Sequence, residues 1–365
     1  MKNHPVIRKL ILPFIGLTLA AMNSPADTAA EPSYTFKRGV NIALWLSQNS
    51  GEMTYAAPWF NESDVDWISK HGFDHVRLPV DFRLCLKTDG SLDEAKIKPI
   101  ANVIGWAKAR GIGVVLDAHF LPGADFNTVG GDSRAYTDPD IQNAAANSWR
   151  LMARHFAGEG PYLRFEILNE PVAADNKLLN PFMARMLSAI RESNPTRIVY
   201  VTSNKWSSFH TIEDVVLPDD PNIALTLHFY EPIIFTHQGA PWAGLNGLPP
   251  VTFPGAVPDA SGFEKAYQNF HVHPGDAITA AQVEATFASV SAWLANHAPK
   301  IEVYVGEFGV YEPADAASKR RWIATIRSNA ESRNWGWAVW EYADSFAVRR
   351  HDGSLTPIFE GLFSK

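Results

Sequence analysis

From about residue 36 to the C-terminal region, short runs of apolar and β-branched residues alternate with longer stretches in which apolar residues recur every three or four positions. The short runs predict strands at 36–41, 75–78, 113–117, 162–168, 198–202, 223–227, 301–305 and 335–339. They are nearly continuous in apolar character rather than alternating, which is the pattern of a parallel sheet covered on both faces. The longer stretches carry helix signals. Ile97, Ile100, Ile104 and Ala107 form one face of a helix that stops at Gly111. Asp138-Pro139 opens the next, which runs to about Phe156 and ends by Gly158. Asn180-Pro181 opens another, with Phe182, Met183, Met186 and Ile190 inward and Asn194-Pro195 as its stop. Thr279-Ala280-Ala281-Gln282 reads as a capping box before the stripe Val283, Phe287, Val290 and Leu294. A last helix covers 316–330, with Trp322, Ile323 and Ile326 inward. These stripes are read as core.

Alternating strand and helix units predict an α/β fold, and eight of them a (β/α)8 TIM barrel in a single domain. An open doubly wound sheet is the alternative. It is weakened because no G-x-G-x-x-G follows the first strand and no P-loop is present. One connection is anomalous. Residues 231–276 separate the sixth strand from its helix and are rich in Pro, Gly and aromatics, with Phe235, Trp242 and Phe253 among them. A connection that long is expected to be functional or disordered, and its aromatics favour an ordered cleft wall.

Composition narrows the function class. The net charge of −7 is mild and Lys and Arg are not clustered, so neither nucleic acid nor an anionic membrane is an expected partner. Lys2, Arg8 and Lys9 precede an uncharged apolar run over 10–22 and small residues ending in Thr28-Ala29-Ala30. That pattern predicts a secretory signal peptide over 1–30, cleaved after Ala30 or near Ala21, with a secreted or periplasmic domain over 31–365. Cys85 is the one cysteine, so no disulfide forms within the chain, and it is read as a small packed residue.

Active sites of such barrels lie at the C-terminal ends of the strands. The fourth and seventh predicted strands run into Ile167-Leu168-Asn169-Glu170-Pro171 and Val305-Gly306-Glu307-Phe308-Gly309, and each delivers one glutamate there. The others deliver Asn41 and Trp45, Arg77, Asp117-Ala118-His119, Asn204 and Trp206, His228-Phe229-Tyr230, and Trp340 with Glu341 beside it. Singly, each has a plain structural explanation: an ion pair, a hydrogen-bonded core histidine, a turn cap. A ring of polar and aromatic groups at successive strand ends is harder to explain by packing. Two opposed carboxyls suit glycosidic-bond cleavage, one delivering a proton and the other attacking or stabilising the sugar cation. A tryptophan face suits the C–H face of a sugar, and an arginine beside a carboxylate keeps it ionised.

Arg77, His119, Asn169-Glu170-Pro171, His228-Phe229-Tyr230, Glu307 and Trp340, in this order and strand placement, resemble glycoside hydrolase family 5, the cellulase-type (β/α)8 enzymes. The resemblance covers essentially the whole chain after residue 30. It implies a retaining mechanism with Glu170 as acid/base and Glu307 as nucleophile, and it places Arg77 and Tyr230 beside Glu307, His228 near Glu170 or the sugar, and Trp340 under the sugar at the cleaved bond. Retention predicts carboxyls about 5–5.5 Å apart. Trp45, Trp206 and Trp242 join Trp340 as candidate sugar platforms, and Asn41 as a supporting residue.

The expected activity is endo-β-1,4-glucanase, with β-1,3-glucanase or β-mannanase as alternatives. The expected partner is a β-linked polysaccharide or oligosaccharide, bound by a monomer with no cofactor and no metal. His271-Val272-His273 is the nearest approach to a metal motif and has no third ligand in sight; Gly-x-Ser-x-Gly is absent. A non-catalytic carbohydrate-binding protein is the rival from another class, and it would not need both glutamates.

Overall fold

The computed structural model describes Met1 and residues 34–48, 60–124 and 134–363, so apart from Met1 the signal peptide expected over 1–30 lies outside the described residues. Eight strands, β1 (Arg38–Asn41), β2 (His75–Asp81), β3 (Gly113–Phe120), β4 (Leu163–Glu166), β5 (Val199–Thr202), β6 (Ile223–His228), β7 (Glu302–Glu307) and β8 (Gly336–Val339), form a closed parallel barrel. Closure comes from β1 pairing with β8 in the register Arg38↔Trp337, Gly39↔Ala338 and Val40↔Val339. The near-continuous apolar strands have their expected environment: every residue of β2 and β3 is buried. Ser33–Lys365 forms one compact unit.

The helices α1 (Glu62–Lys70), α2 (Glu94–Ala109), α3 (Pro139–His155), α4 (Asn176–Arg191), α5 (Ala280–His297), α6 (Ala316–Ser332) and α7 (Pro357–Phe363) pack outside the barrel strands. Their starts are set by side-chain caps, as the sequence predicted for α3 and α5. Asp138 accepts from the N–H groups of Asp140 and Ile141, and Thr279 and Gln282 form the reciprocal capping box. The α4 expectation was late by five residues, with its cap placed at Asn180 instead of Asp175. Asp175 caps Lys177 N–H, and Pro181 sits inside the helix rather than opening it. Between β5 and β6 the connection is a 3₁₀ segment, Phe209–Asp214, in place of a long helix.

The long connection after β6 is ordered. It holds a short helix (Ile233–Thr236), a helix at Glu264–Asn269 and a two-stranded antiparallel pair, Gly255–Ala256 with Ala277–Ile278. Gln238 anchors it by donating to the carbonyls of Phe235 and Val251 and accepting from Val251 N–H, and Phe253 N–H donates to Ser318 on α6. Phe235 and Phe253 are buried. The connection therefore stands as a wall over one side of the barrel mouth.

Candidate active site

The barrel mouth opens into a cleft of about 1560 Å³. Beneath it Arg77 on β2 is fully buried, and every one of its N–H groups is used. Nε and Nη2 donate to the two oxygens of Glu166 at 2.8 Å each. Nη2 also donates to Asn169 Oδ1 at 2.9 Å and lies 3.1 Å from Asp117 Oδ2. Nη1 donates to Asn41 Oδ1 at 2.9 Å and to Glu307 Oε1 at 2.7 Å. Asn41 is aimed by its own amide, which donates to the carbonyls of Gly306 and Val339. Strand register puts these residues on neighbouring staves: Asn41 pairs with Arg77, and Asp117 with Glu166.

Glu307 closes β7. It takes its second donor from the Tyr230 hydroxyl, 3.0 Å from Oε2. Burial raises its carboxyl above the ordinary range, opposed by the charge of Arg77. Glu170 follows β4 with φ +44°, a left-handed backbone that a non-glycine residue adopts under strain. Among the described residues its side-chain partner is His228, whose Nδ1 lies 2.9 Å from Oε1. Burial and then the negative charge of Glu307 push the Glu170 carboxyl well above its ordinary value. Burial, then Arg77 and His119, push His228 well down, so its imidazole is neutral. The two carboxyls titrate as a pair. Glu307 has a cation and a phenol donor, whereas Glu170 has one neutral imidazole, so a shared proton rests on Glu170. One oxygen of each, with a ring nitrogen of His228, lie within 4.8 Å of one another.

Gly306 lets this happen. A Cβ there would lie 2.5 Å from Thr226 Oγ1 and 3.1 Å from His228 Nε2. His119 completes the floor: its Nδ1 lies 2.7 Å from Asp117 Oδ2, and its ring runs parallel to Trp340 with centroids 5.9 Å apart. Burial lowers His119 to about 3 and raises Asp117 to about 7, the latter opposed by Arg77. Trp340 lines the cleft beside both glutamates. Glu170, His228 and Glu307 are also the one group of three metal-type side chains, among the described residues, close enough to share an ion.

Of the residues singled out in the sequence, His119, Asn169, Glu170, His228, Tyr230, Glu307, Trp340, Trp206 and Trp242 line this cleft. Trp206 is 39 % exposed and Trp242 63 %. Asn41 and Arg77 lie beneath it as supports. Trp45 does not reach it: it is buried against Phe60, with ring centroids 5.4 Å apart, so its placement is one of packing rather than sugar contact. Glu166 escaped notice because the fourth strand was expected to run on to Leu168, which made Glu166 an interior position, whereas β4 ends at it. The available signal was an acid in an apolar strand, with a lone arginine in β2 to match.

Residues 39–345 match the family described as cellulase, glycosyl hydrolase family 5. The chain belongs to glycosyl hydrolase family 5. Among relatives of this family 5 enzyme, Endoglucanase C of Acetivibrio thermocellus is 31% identical over 317 residues, covering 84% of this chain and 91% of that protein. Cellodextrinase A of Ruminococcus flavefaciens is 26% identical over 292 residues, covering 79% and 80%. Among solved structures, the clostridial cellulose synthase subunit Z of Clostridioides difficile superposes with a TM-score of 0.74 at 26% identity, covering 90% of this chain and 100% of that one. The family 5 enzyme is thus a cellulase-type glycoside hydrolase with the (β/α)8 barrel of its family, and the family's substrates are β-glucans.

Proposed function

We propose that this family 5 enzyme is a retaining endo-β-1,4-glucanase, exported by a leader over 1–30 and acting as a monomer, with Glu170 as acid/base and Glu307 as nucleophile. The observation that carries the mechanism is the pair of carboxyls whose oxygens approach within 4.8 Å across the cleft. That spacing fits direct attack on the sugar and leaves no room for a water between sugar and base. Their environments split the roles: Glu307 is held by Arg77 and Tyr230, and Glu170 keeps a proton. Glu170 gives that proton to the leaving oxygen while Glu307 bonds to the anomeric carbon and the glycosidic bond breaks. Glu170 then takes a proton from water, whose oxygen displaces Glu307 and restores it. Trp340 supports the sugar at the cleaved bond. The exposed Trp206 and Trp242 offer aromatic faces to further sugars along the chain. The endoglucanase part of this reading is supported by the relative named endoglucanase that covers most of both chains.

Glu307→Ala should be inactive on every substrate. Glu170→Ala should lose about 10²–10⁴-fold on glycosides with poor leaving groups and far less on those that leave unprotonated, with azide restoring turnover. Proton NMR of the first product anomer tests retention. A panel of β-1,4-glucan, β-1,3-glucan and β-mannan, with product sizes followed over time, tests linkage and endo cutting. A Glu307→Ala variant with wild-type rates would overturn the assignment. N-terminal sequencing of the exported protein tests the leader.

A further inference from the structure

Three carboxyls crowd one buried cation. Arg77 faces Glu166, Glu307 and Asp117, yet they do not share it equally. Glu166 takes the Nε–Nη2 edge in a two-pronged grip, 2.8 Å on each side. Glu307 is left with one N–H of Nη1, whose other N–H goes to Asn41. Both Arg77 and Glu166 are fully buried, so water relaxes neither. The edge that Glu166 occupies is the one an arginine normally offers a carboxylate for its strongest pairing.

We propose that Glu166 is a positioning residue that sets the nucleophilicity of Glu307: by occupying the paired edge of Arg77, it holds that cation to a single bond with the nucleophile. A carboxylate gripped by both prongs of a guanidinium is strongly stabilised as an anion, and attack on carbon must break that stabilisation. Held by one prong, with the guanidinium's charge already shared, Glu307 stays ionised and reactive. Glu166 touches neither sugar nor reacting atom and acts through Arg77. The charge balance fits this arrangement, because burial raises both Glu166 and Glu307 and the same Arg77 opposes each.

The inference rests on Glu307 being the nucleophile, and the test separates the two. A 2-deoxy-2-fluoro-cellobioside with a good leaving group is used to trap the glycosyl-enzyme, and peptide mass spectrometry locates the label. A wild-type label on any residue but Glu307 defeats the assignment of the nucleophile and, with it, this inference. With the label on Glu307, Glu166→Gln keeps the shape and removes the charge. The expected result is labelling at least tenfold slower. The acidic limb of kcat/KM should also move at least half a pH unit lower, because Arg77 then holds the Glu307 anion more strongly. Glu166→Asp, whose shorter arm cannot hold both N–H groups, should move both readouts the same way by less. A folded Glu166→Gln enzyme with wild-type labelling and a wild-type acidic limb overturns the proposal while leaving Glu307 as nucleophile. If Glu166→Gln does not fold, the same two readouts on Glu166→Asp decide. If neither variant folds, Glu166 is a structural support and the proposal falls.

Discussion

Asp74, at the closed end of the barrel, gives the sharpest stability prediction. Its carboxylate accepts from the hydroxyl of Thr35, the backbone N–H groups of Lys37 and Arg38, and His75 Nδ1 at 2.6 Å. His75 Nε2 in turn lies 2.8 Å from the Tyr304 hydroxyl in the barrel floor. Burial works to raise Asp74, but these donors prevail, and its pKa is lowered from 3.8 to about 2. The side chain is 26% exposed, so most of the effect survives solvent screening. A difference of about 1.8 (3.8 minus 2) at about 1.36 kcal/mol per pH unit gives roughly 2.4 kcal/mol, so about 2 kcal/mol is expected after that discount. The folded value is the depressed one, so this stabilisation is present above the unfolded value near 4 and disappears as pH falls through about 2. Asp74→Asn should therefore cost about 2 kcal/mol at pH 7 and progressively less from pH 4 to pH 2. Urea unfolding of both proteins at pH 7, 4 and 2.5, with the slopes compared, measures it. A deficit under about 0.5 kcal/mol at pH 7, or one unchanged down to pH 2.5, would refute the reasoning.

Three further outcomes follow from the site. In Glu307→Gln, Glu170 loses the negative charge that helps to raise it, so its carboxyl should titrate lower than in the wild type, as read by carbon-13 NMR of labelled glutamate. Trp242→Ala should raise KM on long β-glucan chains by roughly 2–12-fold, from about 0.5–1.5 kcal/mol of lost aromatic contact, and leave kcat in place; an unchanged KM would remove Trp242 from the binding surface. Gly306→Ala should destabilise the fold by about 1–3 kcal/mol through the contact with Thr226 and His228, and should cut activity as His228 is displaced from Glu170.

The barrel was legible because a parallel strand buried on both faces must be apolar along its length, and few other local structures have that signature. Caps at Asp138 and Thr279 were legible because a side-chain oxygen at a helix start has one dominant use. Pro181 misled because Asn-Pro resembles a helix start, while the true cap, Asp175, lies about one and a half turns earlier, ahead of Leu178 and the buried Leu179. At the site, the groups at strand ends were found by asking what each strand exports to the mouth. Glu166 presents nothing to the mouth, and among the described residues its side-chain hydrogen bonds run to Arg77. Trp45 was misplaced for the opposite reason. An indole just after a strand has the right composition for a sugar platform, and only packing against Phe60 reveals its orientation.

The pairing of Arg38–Val40 with Trp337–Val339 joins segments about three hundred positions apart. During synthesis, the opening stave must wait, edge unpaired, until about three hundred further residues have left the ribosome. Premature hydrogen-bonding to a neighbour's strand is the hazard of that interval, and the ring's seam is the last place to be sealed.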